Sequence, residues 1–116
     1  MKEKILKLLQ QKKSINITKF IKLIPEIKGE YSMYMPVNPG LNEKILWLSN
    51  VNVEFISAFN ELLVKDKMIT CNPSNLMNFL IDGSPVYKDI KIFEKKYAKK
   101  QVLCWYPITV DLLILN

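Results

Sequence analysis

The stretch over residues 52–72 most constrains the fold, because it specifies a helix, a turn and a strand in immediate succession. Asn52 is a good N-cap, and Glu54 adds a negative charge in the first helical turn, where the helix dipole favours it. The apolar residues that follow recur with the period of one helix face: Phe55, Ile56, Phe59, Leu62 and Leu63. A polar turn then leads to a predicted short strand, Met68–Cys71. This pattern predicts an α+β domain.

The N-terminal part of the chain predicts two short helices. The first is expected over Lys2–Gln11, with Ile5, Leu8 and Leu9 facing inward. The β-branched residues of Ser14–Ile17 favour a brief strand or turn after it. Thr18 is a candidate cap for the second helix, Pro25 disfavours helical geometry at Ile24, and Gly29 is expected to close the segment. The inward face of that second helix is expected to contain Phe20, Ile21 and Ile24.

The segment Glu30–Asn50 is predicted to be an insertion between the second and third helices. Tyr31–Met35 and Ile45–Leu48 look extended, and the prolines and glycine of Pro36–Asn42 indicate a turn region between them. The segment is therefore expected to form a β-hairpin or a long loop. An insertion of this length in a compact domain is usually functional, which makes residues 30–50 a possible binding site for a protein partner.

The last third of the chain leaves one alternative open. Ser74 can cap a short helix over Asn75–Leu80 that ends at Asp82 and Gly83. Residues 86–93 and 101–106 are then expected to pair as strands around the loop 94–100. The alternative is a helix, since Ile90, Phe93 and Tyr97 fit an i, i+3, i+7 spacing. A last buried strand is predicted over Ile108–Leu115.

The charge of the chain is positive and unevenly distributed. The 116 residues, a length typical of one domain, have a net charge of +6, and all 17 basic residues are lysine. Residues 1–28 are +6 (eight Lys, two Glu), residues 29–82 are −3 (three Lys, six acids), and residues 83–116 are +3 (six Lys, three acids). Two basic ends predict a polyanion-binding surface, although codon bias from an AT-rich genome also favours lysine.

The residue types disfavour an enzyme, a metal site and a bound cofactor. There is no histidine, so Ser-His and Cys-His nucleophile systems cannot be built, and the three glycines are too scattered for a phosphate loop. Cys71 and Cys104 are isolated and are expected to be buried and reduced. No apolar run is long enough to span a bilayer, and the N-terminus does not resemble a signal peptide. We therefore expect a cytoplasmic, soluble protein.

Lysines beside aromatic residues are the strongest candidates for contact with nucleic acid. Phosphates would be bound by the lysines and bases would stack on the exposed rings. The alternative is that the same lysines only solvate a surface loop. Trp47 and Trp105 are expected to be buried, and Tyr97 to be exposed. The candidate DNA-binding residues are Lys12, Lys13, Lys19, Lys22, Lys95, Lys96, Tyr97, Lys99 and Lys100, with Tyr31 and Tyr34 as possible base-stacking residues.

The order of elements resembles a winged helix-turn-helix domain. The segment Phe55–Leu63 followed by Met68 and Ile69 resembles its third helix and the strand that enters its wing, and residues 86–106 would then form the β-wing. Three further segments resemble small proteins of phages and mobile elements in Gram-positive bacteria: Gly29–Tyr34, Asp82–Pro85 and Trp105–Ile108. The resemblance implies a winged-helix-like three-helix core and a DNA-binding protein of a replication module or a regulator.

The predicted third helix is poorly suited to reading bases. Its outer face is expected to contain Glu54, Ser57, Glu61 and Val64, and carboxylates there would repel phosphates. The sequence thus favours a non-enzymatic protein that binds DNA with little sequence preference and leans to single strands. The alternatives are a dimeric transcriptional regulator that binds duplex DNA and an adaptor that binds a protein through residues 30–50.

Overall fold

The computed structural model describes residues 1–113, and these residues form two small sheets and four helices. The helices are α1 (Lys2–Lys12), α2 (Phe20–Leu23), α3 (Val53–Asn60) and α4 (Leu76–Asp82). The strands are β1 (Ser14–Asn16), β2 (Lys28–Tyr34), β3 (Ile45–Val51), β4 (Ile69–Pro73), β5 (Lys91–Ile92), β6 (Cys104–Trp105) and β7 (Ile108–Leu112). Helix α2 lies between two 3-10 turns, and α3 continues into a π-helical turn, Glu61–Lys65. The predicted α+β class is confirmed.

The first sheet has three antiparallel strands in the order β1-β7-β4. Its central strand β7 places Val110 opposite Ile15 on one side and Cys71 on the other. Val110 is fully buried, as expected for an apolar residue of a central strand. The strand that follows α3 therefore pairs with β7 across a long connection, and that connection contains α4, β5 and β6.

The second sheet has four strands in the order β2-β3-β6-β5. The hairpin predicted for the insertion is confirmed, since β2 and β3 pair antiparallel. The two parts of the predicted wing do pair, with Lys91 opposite Cys104, but they run parallel and cannot form a hairpin. The alternative helix over residues 90–97 is also wrong, because only a 3-10 turn, Lys95–Tyr97, forms there. Strand β6 also pairs with β3, so the insertion and the last third of the chain share one sheet.

The core forms where α1, α2 and α3 pack on the two sheets. Helix α1 contributes the fully buried Ile5 and Leu9, and α3 contributes Phe55 and Phe59. Phe20 of α2 meets both of these α3 rings, with centroids at 5.7 and 6.4 Å. Aromatic pairs in this range stabilise a core by about 1 kcal/mol beyond their buried area. The helical periodicity of the sequence therefore identified the inward faces of α1 and α3.

Asn52 begins helix α3 as predicted. Its Oδ1 accepts a hydrogen bond from the backbone N–H of Phe55 at 2.9 Å, and its Nδ2 donates to the carbonyl of Glu26 at 2.9 Å. Helix α2 ends at Leu23, just before Ile24 and Pro25, as predicted, and Gly29, expected to close this segment, lies in β2. A Cβ at Gly29 would lie 2.6 Å from the Cα of Asn52, so the close approach of these two backbones requires glycine.

Several predicted ends and caps differ from the structure. Thr18 does not cap a helix, because its buried hydroxyl donates to the carbonyl of Pro85 at 2.7 Å. Helix α4 is capped by Asn75 rather than Ser74, and it continues to Asp82. Strand β4 runs two residues beyond its predicted end, to Pro73. The last strand ends at Leu112, and the part of its predicted range over 114–115 lies outside the described residues.

Candidate nucleic-acid interface

The strongest predicted group of lysines lies in a loop between β5 and β6, residues 94–100, which we call the basic loop. Lys95, Lys96, Lys99 and Lys100 are all exposed. Lys96 pairs with Glu94 at 3.2 Å, and this hydrogen bond and charge raise the pKa of the Lys96 ammonium group. Within residues 1–113 the other three form no ion pair. They are therefore free to bind an external anion.

Tyr97 lies at the centre of the basic loop but is less exposed than predicted. Its ring is half-buried, and the ammonium groups of Lys91 and Lys96 lie 5.9 and 5.2 Å from the ring centroid. This geometry fits a cation–π interaction, which is worth about 0.5–1 kcal/mol at an exposed site. Tyr97 therefore orients two lysines, and the rest of its ring packs into the loop.

A buried asparagine fastens the basic loop to the tip of the β2–β3 hairpin. The fully buried Asn42 donates from Nδ2 to the carbonyls of Tyr97 at 3.1 Å and Val102 at 2.9 Å. Its backbone N–H donates to the carbonyl of Ala98 at 2.8 Å. The side chain of Gln101 adds two further hydrogen bonds to the hairpin tip. These five hydrogen bonds give the loop a defined position.

The two predicted base-stacking residues lie on the edge strand of the same sheet. Tyr31 is 57% exposed and Tyr34 is 45% exposed, which confirms their predicted exposure. Residues three apart point to opposite faces of a regular strand, but β2 has register shifts between these two residues that remove this constraint. Three strand spacings, about 14 Å, separate β2 from β5. The exposed rings of Tyr31 and Tyr34 therefore lie on the same small sheet to which the basic loop is connected.

Both tryptophans belong to the core, as predicted. Trp47 is 5% exposed and contacts Phe59 edge-on, and Trp105 is 1% exposed. The Trp105 ring lies nearly perpendicular to Phe79 and Tyr87, with centroids 5.4 and 5.3 Å away. Among residues 1–113 neither indole N–H has a hydrogen-bond partner. These rings are consequently not available for stacking with bases.

The second predicted group of lysines is divided by the structure. Lys19 donates to the carbonyl of Asp82 at 2.9 Å and pairs with its carboxylate at 3.1 Å, and Lys22 donates to the carbonyl of Gly83 at 2.7 Å. These two side chains bind the C-terminus of α4, where cations stabilise the helix dipole. Lys12 and Lys13 are exposed at the end of α1. No hydrogen bond or ion pair within residues 1–113 joins this group to the basic loop.

The hydrogen bonds of Asp82 with the buried Asn16 and Ser84 were missed by the sequence reasoning. Its carboxylate accepts hydrogen bonds from Ser84 at 2.6 Å and from Asn16 at 3.2 Å, and these bonds and Lys19 lower the pKa of Asp82. Gly83 ends α4 in the left-handed conformation, with φ of 72°. The segment Asp82–Pro85 thus attaches α4 to the first sheet. The sequence signal for these contacts was the run of Asp, Gly, Ser and Pro in this segment. Its role in the fold is to hold α4 in place.

The outer face of α3 agrees with the sequence prediction. Glu54, Ser57 and Val64 are exposed, and Glu61 lies 3.4 Å from the ammonium group of Lys2. Lys2 also binds Asp66 at 2.9 Å, and both carboxylates raise the pKa of Lys2. The side-chain ammonium group of Lys2 is therefore already paired. This face offers no cluster of free donors for base edges.

Both cysteines are free thiols, and burial raises the pKa of each. Cys104 is buried as predicted, whereas Cys71 is partly exposed, and both are free. Burial, with a smaller effect of the Asp111 carboxylate, raises the pKa of the Cys71 thiol to about 12.

Over residues 1–113, no three potential metal-binding side chains of His, Cys, Asp or Glu come together. In the same range, no helix is both long and apolar enough to cross a membrane.

Comparison with known proteins leaves the interface to be interpreted from its own geometry. No protein-family model, curated protein or solved structure matches this chain at a significant level.

Proposed function

We propose that this chain is a non-enzymatic DNA-binding protein with little sequence preference and a preference for single strands. The observation that carries the proposal is that the basic loop and the exposed rings of Tyr31 and Tyr34 share the four-stranded sheet. Lysines bind phosphates without regard to sequence, and each base stacked on an aromatic ring contributes about 1–3 kcal/mol. Together these groups match the chemical needs of a single strand, which exposes both phosphates and unpaired bases.

The rigidity of the basic loop supports this role. A loop held by Asn42 loses little conformational freedom when it binds, so more of its interaction energy is retained as affinity. The lysines point from a defined backbone, and Lys95, Lys99 and Lys100 have no competing carboxylate among residues 1–113. In the proposed complex the phosphates of the strand lie along this loop.

The proposal includes a winged-helix-like core. Helices α1, α2 and α3, followed by strand β4, occur in the order that the resemblance implies, and the first sheet has the strand order β1-β7-β4. In this interpretation β4 and β7 are the wing strands, and the connection between them contains α4 and the basic loop. The resemblance to proteins of phages and mobile elements extends the proposal to replication of such an element in the cytoplasm.

Duplex recognition by α3 is the weaker candidate. A duplex-binding regulator would be expected to present free cations or amides on α3, yet Glu54 and Glu61 lie on its outer face and Lys2 is paired. Single-stranded binding requires nothing from α3. The adaptor hypothesis for residues 30–50 likewise stays a prediction. Because the hydrogen bonds of Asn42 hold the basic loop, deleting this segment would also release that loop.

The test is fluorescence anisotropy with labelled single-stranded and duplex DNA of equal length and mixed sequence, titrated over a series of salt concentrations. The proposal predicts tighter binding to the single strand and a logarithm of the affinity that falls linearly with the logarithm of salt concentration. Tight binding to one duplex sequence over others would favour the regulator instead. Absence of binding to either DNA at low salt would overturn the proposal.

A further inference from the structure

Four strands form the edges of the two sheets, and three of these strands have features that discourage pairing with a further strand. Strand β1 has only three residues and β5 only two. Strand β2 has seven residues, but three register shifts interrupt its pairing, and Lys28 and Glu30 place charges on it. Short length, irregular register and charged side chains are the means by which proteins keep the edges of their sheets from pairing with other chains.

Strand β4 is the edge strand that lacks these features. Its five residues, Ile69–Pro73, pair with β7 in one continuous register, and none of them is charged. Asn72 and Pro73 are exposed, and Thr70 and Cys71 are partly exposed. Within residues 1–113, β7 is the one strand that pairs with β4. The other side of β4 is therefore a regular and uncharged edge.

The hydrogen bonds at the two ends of β4 show which of its backbone groups face this edge. The carbonyl of Met68 accepts from the N–H of Leu113 at 2.8 Å, and the N–H of Ser74 donates to the carbonyl of Pro107 at 2.8 Å. Residues with even numbers therefore bond with β7, because hydrogen-bonded and non-hydrogen-bonded pairs alternate along an antiparallel ladder. The odd-numbered residues direct their backbone groups to the free edge: the N–H and carbonyl of Ile69 and Cys71, and the carbonyl of Pro73.

We propose that the free edge of β4 is the interface of a symmetric dimer, in which β4 of a second copy of this chain pairs with it antiparallel. The two-fold axis passes beside Cys71, the middle residue of β4. The N–H of Cys71 donates to the Cys71 carbonyl of the second copy, and the N–H of Ile69 donates to the Pro73 carbonyl of the second copy. This register includes the whole strand and pairs every N–H on both free edges, because Pro73 has no N–H to leave unpaired.

The side chains of β4 complement themselves in this register. Ile69 and Pro73 lie opposite each other on the inner face, where Ile69 is buried. Thr70 and Asn72 lie opposite each other on the outer face, so apolar meets apolar and polar meets polar. The strand is neutral, so two copies bring no like charges together within it.

A peptide of a different protein fits this edge less well than a second copy does. Recognition of a foreign strand obtains its specificity from pockets or charges beside the edge, and β4 has no charged side chain to select a partner sequence. A second copy needs no such selection, since an isologous interface matches one surface patch with itself. The basic loop is connected to the other sheet, so the dimer leaves it free.

The first test is amide hydrogen exchange of the isotope-labelled full chain, followed by NMR under reducing conditions at several protein concentrations. The N–H groups of Ile69 and Cys71 should exchange more slowly as the concentration rises, because the dimer pairs them. The N–H groups of Thr70 and Asn72 bond with β7 in both states, so their exchange should change much less. Sedimentation equilibrium on the same samples should show a monomer that converts to a dimer.

The second test uses two double variants that differ in one charge. Both have Thr70→Lys, and the second substitution is Asn72→Lys in one and Asn72→Glu in the other. Residue 70 faces residue 72 of the second copy, so the first variant opposes like charges twice and the second opposes unlike charges twice. The dimer of the like-charge variant should be weaker by about ten-fold or more in sedimentation equilibrium. Circular dichroism checks that both variants are folded.

Three results would overturn the proposal. The first is a wild-type chain that stays monomeric at every concentration reached by NMR. The second is a dimer in which the exchange of Ile69 and Cys71 does not change, because its interface would lie elsewhere. The third is equal dissociation of the two folded double variants. The measurements contain no DNA, so they are independent of the proposed function.

Discussion

Asn42, at the tip of the β2–β3 hairpin, donates a hydrogen bond from its side chain to the carbonyl of Tyr97 at 3.1 Å. This contact joins residues that are 55 positions apart in the chain. It unites two features that the sequence predicted separately, the insertion between the second and third helices and the lysine-rich loop. The basic loop therefore belongs to the sheet of the insertion, and the proposed DNA-binding surface depends on this junction.

Replacing Asn42 by alanine should destabilise the protein and loosen the basic loop. The substitution leaves the carbonyls of Tyr97 and Val102 and the backbone N–H of Lys44 without their partner. This loss costs about 2–3 kcal/mol in the free energy of unfolding. Urea denaturation measures this loss, and hydrogen exchange of the amides in residues 97–104 should accelerate. Asn38→Ala is the control, since Asn38 is exposed in the same hairpin connection. Equal stability of the two variants would contradict a stabilising role for the hydrogen bonds of Asn42.

Tyr31→Ala and Tyr34→Ala should each weaken binding to single-stranded DNA by about 1–3 kcal/mol, because an aromatic ring that stacks on a base is lost. Tyr31→Phe and Tyr34→Phe keep the ring and should bind like the wild type. Anisotropy titrations at one salt concentration compare the four variants. If the alanine variants bind with unchanged affinity, β2 is not part of the DNA-binding surface.

The close approach of Gly29 to Asn52 predicts an unequal response to two glycine substitutions. A Cβ at Gly29 would lie 2.6 Å from a backbone atom of Asn52, so Gly29→Ala should cost about 2–3 kcal/mol in the free energy of unfolding. Gly40 has φ of 89° with open space around it, so Gly40→Ala should cost only about 1 kcal/mol of backbone strain. Thermal or urea denaturation ranks the two variants, and a larger effect at Gly40 would contradict this packing.

Asp82 should make stability depend on pH in acid. Hydrogen bonds from Ser84 and Asn16 and the ion pair with Lys19 lower the pKa of Asp82 in the folded state. The carboxylate therefore stabilises the fold fully above its ordinary pKa of about 4, and this stability is lost as the pH falls through the lower folded pKa. Asp82→Asn should be less stable than the wild type at neutral pH.

The difference between wild type and Asp82→Asn should shrink as the medium is acidified, and urea denaturation at several pH values measures it. Asp89→Asn is the control, since Asp89 is exposed and has no ion pair among the described residues. A difference that stays constant with pH would show that Asp82 acts only through packing.

The elements with a clear local pattern were predictable from sequence. Helices α1 and α3 follow the apolar periodicity of Ile5, Leu9, Phe55 and Phe59, and the caps at Asn52 and Gly83 have local signals. The exposure of Tyr31, Tyr34 and the lysines of the basic loop was also predicted, whereas Tyr97 is more buried than expected because it packs under two lysines. These predictions rest on interactions within a few residues of each other.

The parallel half of the second sheet, β6 and β5, was not predictable in the same way. Strands β5 and β6 have two residues each and pair in parallel, so they show neither alternation nor a hairpin turn. Their pairing depends on β3, which is far away in the chain, and on the buried hydrogen bonds of Asn42. The roles of Lys19 and Lys22 were hidden for the same reason, since their acceptors on α4 lie more than 60 positions away.

The central claim, that the basic loop binds DNA, is tested most directly by two double charge reversals. Lys99→Glu with Lys100→Glu alters the loop, and Lys65→Glu with Lys67→Glu makes the same change of net charge after α3, outside the proposed surface. The measurement is the affinity for labelled single-stranded DNA at one low salt concentration. The account predicts a loss of about ten-fold or more for the loop variant and a much smaller loss for the other. Equal losses would contradict it, because they would show a response to net charge alone.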